Sequence, residues 1–144
     1  MSVPRGIAGL RNLREQALWR LLAADKAPIF IALLQELLFD QEKVLPASVL
    51  AERLSALLDG LQSAGEDVPQ TAQAYLALWL SEGWVHRRLP TGATEEQYEL
   101  SSDAAQAIRF LSTLLKRRAV MTESRLATVI HQLIRLAEET DRNP

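Results

Sequence analysis

The chain has 144 residues, 48% of them hydrophobic and 24% charged, with a formal net charge of −2 and no cysteine. These figures exclude a disordered polar segment, a disulfide-stapled fold or thiolate metal site, and a general electrostatic pull toward nucleic acid or anionic lipid. The length suits one domain with appended helices and a core that needs no staples.

Residues 1–9 hold Pro4, Gly6 and Gly9 and read as a flexible lead-in, without the apolar run of a signal peptide. Residues 10–24 predict a helix, because Leu10, Leu13, Ala17, Leu18, Leu21 and Leu22 recur at helical spacing and Trp19 widens the stripe. Asp25 is placed to cap a second helix at 26–39, with Pro28 in its first turn. That helix is apolar around most of its circumference, so it must be buried on more than one side. It is either the central core helix or part of a subunit interface. Its surplus of apolar surface makes Phe30, Ile31, Leu34 and Leu38, together with Trp19, the dimer-interface candidates. The same stretch is interrupted by Gln35 and Glu36 and is too short to span a bilayer, so a cytoplasmic protein with no membrane partner is expected.

A polar turn at 40–44 leads to a helix at 46–62, opened by Pro46 and with Gly60 near its end. A polar loop at 63–68 precedes a helix at 69–82. Gly83 stands where a helix C-terminus needs a residue tolerant of positive φ. Residues 84–89 alternate, with Val85 and Leu89 on one face, and Tyr98 and Leu100 repeat the alternation. Pro90, Thr91, Gly92 and Ala93 between them have the composition of a hairpin loop. Ser101 or Ser102 can cap a long helix to about residue 118. After a short break at 119–121, Thr122 can cap a last helix carrying Leu126, Val129, Ile130, Leu133 and Ile134. The expected fold is therefore mainly α: a winged helix-turn-helix with extra flanking helices and one small β-hairpin wing. It divides into a lead-in at 1–9, a winged-helix domain at 10–121, and the start of a following helical region at 122–144.

The residues offer no catalytic, cofactor or metal site. His86 and His131 are the two histidines, and neither has a ligand partner at metal-binding spacing. No phosphate-cradling glycine loop or nucleophile elbow occurs, and Glu95 with Glu96 reads as a solvated acidic pair. A non-enzymatic protein is expected. The recognition position of a winged helix needs Arg, Lys, Asn or Gln against base edges. Residues 66–82 contain Glu66, Asp67 and Glu82 and no Lys or Arg. Arg87 and Arg88 on the wing and Lys116, Arg117 and Arg118 at the end of the long helix are the candidate DNA-phosphate contacts. They carry the alternative reading, a winged-helix DNA-binding transcriptional regulator.

With these residues in place, the chain resembles the N-terminal part of the JetA family. These are the kleisin-like subunits of Wadjet systems, related to the MksF and MukF subunits of bacterial condensin-like SMC complexes. The resemblance is carried by LLAADKAPIFIALLQELLF at 21–39, LPASVLAERL at 45–54 and VPQTAQAYLALWLSEGWVHRRLP at 68–90. It continues through YELSSDAAQAIRFL at 98–111 and TESRLATVIHQLIRLAEETDRNP at 122–144. Such subunits are non-enzymatic, and family members are several times longer than this chain. The resemblance implies a winged-helix domain that homodimerises, and a last helix that begins the region contacting the coiled-coil neck of an SMC-type ATPase subunit. It also implies an accessory kleisin-binding subunit, DNA engaged through the complex, and a role in plasmid defence.

Overall fold

The computed structural model describes residues 2–142. It forms two compact units, one running to Ile108 and one from Arg109 onward. The first begins with α1 (Val3–Arg14) and α2 (Ala17–Ala23), followed by α3 (Ala27–Leu38) and a short β1 (Val44–Pro46). It continues through α4 (Ala47–Ser63), α5 (Ala72–Ser81), β2 (Val85–Arg88) and β3 (Gln97–Leu100). Then α6 (Ser102–Arg142) contributes its first two turns to this unit and its remainder to the second. The architecture is mainly helical with one small antiparallel sheet, in the order β1-β3-β2.

The core gathers around α3. Leu34 is fully buried, and Phe30, Leu33, Leu37 and Leu38 are nearly so. Neighbours on α2, α4 and β3 contact this helix, so much of its apolar surface is covered within one chain. Each large side chain removed from water there contributes roughly 1.5–3 kcal/mol. Phe30 centres an aromatic cluster, with ring centroids 5.7 Å from Tyr75, 5.8 Å from Trp79 and 6.0 Å from Trp84.

Several local expectations change. Residues 3–9, expected as a flexible lead-in, are helical. Ser2 Oγ accepts from the Arg5 N–H at 3.4 Å and Pro4 sits in the first turn, where it has no hydrogen bond to break. The single helix expected at 10–24 is two, separated at Glu15 and Gln16. Asp25 does not cap α3. Lys26 occupies that position without a side-chain capping bond, and the Ala27 N–H donates to the Ala24 carbonyl. Thr71, not Pro69, opens α5, its Oγ1 accepting from the Ala74 N–H at 3.2 Å. Leu89 lies beyond β2 and is exposed rather than facing inward with Val85. The break expected at 119–121 does not occur: α6 is continuous, and no Gly or Pro falls between Ser102 and Arg142. The Thr122 side chain, expected as a cap, lies outside the described residues.

Other features follow the sequence. Gly83 has φ +77° just past α5, and Gly92 has φ +82° in the hairpin loop. Ser101 Oγ caps α6 by accepting from the Ala104 N–H at 3.2 Å. Among the described residues, no helix is long and apolar enough to cross a membrane.

Candidate functional site

The hairpin is positioned by three connections. At its start, the Trp84 N–H donates to the Trp79 carbonyl, and the buried Trp84 indole Nε1 donates to the Ala17 carbonyl of α2 at 3.1 Å. Arg20 fastens the same corner, its Nε donating to Glu82 Oε2 at 3.0 Å and its Nη2 to the Glu82 carbonyl at 2.6 Å. On the return side, β3 lies between β1 and β2, pairing Leu45 with Tyr98 and Val85 with Leu100. The α4 N-terminus has no side-chain cap of its own. Instead, the Ala47 N–H donates to the Glu96 carbonyl at 2.9 Å, and Ser48 Oγ donates to Glu95 Oε1 at 2.8 Å. A carboxylate there also opposes the positive end of α4. Glu95 and Glu96 are thus structural partners of α4 and the hairpin, not merely a solvated pair.

The structure separates the sequence-predicted residues into distinct groups. Phe30, Leu34 and Leu38 are buried within their own chain, so they serve the core and present no surface to a partner. This corrects their assignment as interface candidates: these three side chains are covered by intrachain neighbours, whereas Ala32 on the same helix stays exposed. Trp19 and Ile31 remain half-buried. On the hairpin, Arg87 Nη1 lies 3.6 Å from Glu96 Oε2 and Arg88 Nη2 lies 3.6 Å from Glu99 Oε2. Both pairs are exposed and contribute little to stability, but a phosphate has to compete with these carboxylates. Lys116, Arg117 and Arg118 are exposed on α6 in the second unit. Arg87 and Arg88 thus belong to the first unit and the other three basic candidates to the second.

Between Thr71 and Glu82, the face of α5 left in water carries Gln73, Ala77, Leu78 and Ser81, with no cation. Two of the three acids near this helix are engaged: Glu82 with Arg20, and Asp67 with Lys26 at 3.1 Å. His86 sits on β2 opposite Glu99, and His131 is exposed on α6. Among the described residues, no group of three or more His, Asp or Glu is arranged to hold a metal ion.

Two further surfaces escaped the sequence reading. The first is a groove of about 590 Å³ between α3 and α4. Ile29, Leu33, Leu57 and Leu61 give it an apolar floor, Ala32, Ala56 and Gly60 give it low walls, and Glu36 and Glu66 are its charged residues. The second is α1. It has no buried residue, and Val3, Ile7, Leu10 and Leu13 form an exposed apolar stripe. The i, i+4, i+7 spacing of Val3, Ile7 and Leu10 was visible, but Gly6 and Gly9 argued against a helix there.

An uncharacterized protein of Mycolicibacterium smegmatis is 33% identical over 131 residues, covering 88% of this chain and 28% of the relative. The chain therefore spans little more than a quarter of that relative's length. No solved structure matches. The model of DUF3375, a protein of unknown function, matches residues 11–144, and the chain belongs to that family.

Proposed function

We propose that this chain is a non-enzymatic assembly module: a winged-helix domain that dimerises within a kleisin-like subunit of a bacterial SMC-type, Wadjet-like plasmid-defence complex. One observation carries the reading. The order α3-β1-α4-α5-β2-β3 with sheet order β1-β3-β2 supports a winged-helix reading, and α5, which would take the recognition position in it, has no Lys or Arg. A helix without cations lacks the means to hold phosphate while reading base edges. The remaining use of such a domain is association with protein, and the exposed α1 stripe and the α3–α4 groove supply apolar surface for it. The resemblance to the JetA family supplies the partners: a second copy, the coiled-coil neck of an SMC-type ATPase subunit, and an accessory kleisin-binding subunit. DNA is then engaged through the complex. Co-expression with the SMC-type subunit tests this reading. Stable co-purification is expected, and failure to co-purify at low salt, with both chains folded, counts against it.

The second reading, a DNA-binding transcriptional regulator, is favoured by the exposure of Arg87 and Arg88 on the wing. It requires duplex binding that weakens steeply with salt.

A further inference from the structure

We infer that α1 of one copy docks into the α3–α4 groove of a second copy, reciprocally, so that each dimer holds two helix-in-groove contacts. The inference rests on the homodimeric reading above and names the surfaces that would make it. Both halves of the contact occur on the same chain. The apolar stripe of Val3, Ile7, Leu10 and Leu13 is exposed, and its spacing is that of helix anchors entering a groove. The groove has an apolar floor, and its small wall residues leave room for those anchors. A Cβ built on Gly60 meets nothing within 4 Å. The two helices are matched in length, since α1 and α3 each have 12 residues.

Charge selects the pairing. Arg5, Arg11 and Arg14 are the charged residues of α1, which has no acid. The groove is lined by Glu36 and Glu66 and by no Lys or Arg. Two copies of α1 would repel each other, whereas α1 and the groove attract. The helix that fills the groove comes from another copy because each chain holds its own α1 elsewhere. Only Glu15 and Gln16 join α1 to α2, and α2 is anchored by buried Leu21, by Arg20 to Glu82 and by Trp84 to the Ala17 carbonyl. Reciprocal exchange closes the assembly at two copies.

The absence of cysteine makes the test clean. A Leu10→Cys chain is mixed with an Ala56→Cys chain of different tagged mass and treated with a short bismaleimide. The expected product is the mixed covalent dimer. Products joining Leu10→Cys chains to each other, or no mixed product, overturn the docking. A chain carrying both cysteines that closes on itself as a covalent monomer while remaining monomeric in solution also overturns it. Sedimentation over a concentration range gives the second readout. Leu10→Asp and Gly60→Leu are each expected to weaken the dimer at least about tenfold while leaving a cooperative melt, since α1 buries nothing and Gly60 faces open space. A dimer that survives both substitutions overturns the docking and leaves the assembly reading standing. An unmodified chain that is monomeric at every concentration overturns the docking and the homodimer alike.

Discussion

The indole Nε1 of Trp84 donates to the Ala17 carbonyl at 3.1 Å, bridging the first residue of the hairpin corner and the first turn of α2. The ring is buried against Phe30, so one side chain supplies both core volume and a specific tether. Trp84→Phe keeps most of the volume and loses the tether. It is expected to cost about 0.5–1.5 kcal/mol for the hydrogen bond, beyond the smaller ring. Trp84→Ala is expected to cost about 3–5 kcal/mol. Urea unfolding with an unchanged m-value checks both.

Trp79 provides the contrast. It is fully buried, and its Nε1 has no hydrogen-bond partner among the described residues. A buried donor without an acceptor lowers stability. Trp79→Phe should therefore cost less than Trp84→Phe, by about 1 kcal/mol, in the same unfolding measurement. An equal or larger loss at position 79 would show that its indole N–H is satisfied in solution.

Glycines 83 and 60 predict opposite signs. Gly83 has φ +77°, and a Cβ there would also meet the Ala17 Cβ at 3.6 Å. Gly83→Ala is expected to destabilise by about 1–2 kcal/mol, from the left-handed backbone rather than from crowding. Gly60 lies inside α4 with open space around it. Gly60→Ala is expected to stabilise by up to about 1 kcal/mol through helix propensity. Paired thermal melts read both signs.

Leu34 separates core from interface. It is fully buried inside its own chain, and a charge placed there has no partner to offset its desolvation. Leu34→Asp should abolish the cooperative melt of the chain at any concentration. Loss of dimer with an intact melt would return this residue to the interface.

The hairpin arginines give the assay that divides the two functional readings. Under the assembly reading, fluorescence anisotropy with a labelled duplex shows no saturable binding by this chain at low salt, and Arg87→Ala with Arg88→Ala changes nothing. Saturable binding whose log–log salt slope falls by about 2 in the double variant would favour the regulator.

Much of the fold was legible because it is encoded locally. Periodic leucines marked α3 and α4, Gly83 marked the end of α5, and the Ser101–Ser102 pair marked the start of α6. The strand at Val44–Pro46 was not legible: it is three residues long and exists through pairing with Gln97–Glu99, far along the chain. The helicity of residues 3–9 was hidden because two glycines oppose it, outweighing Ser2, the placement of Pro4 and the spacing of Val3, Ile7 and Leu10. The role of α3 could not be resolved from periodicity, because a helix apolar on every side gives no phase. Its burial depends on neighbours from α2, α4 and β3. Arg20 shows the same limit for polar groups. Its partner Glu82 stands 62 positions away, beyond any local pattern.

The place of β3 between β1 and β2 also fixes when the unit can close. The strand made last in the chain is the one both others need. Until Leu100 has been synthesised and is free to pair, β1 and β2 remain two open edges with no common partner, and the α4 N-terminus lacks the Glu95 and Glu96 groups that complete it. A nascent chain ending before the hairpin loop thus has most of its core residues but no finished sheet. The β1–β3 pairing is non-local and can form only once this segment has been made.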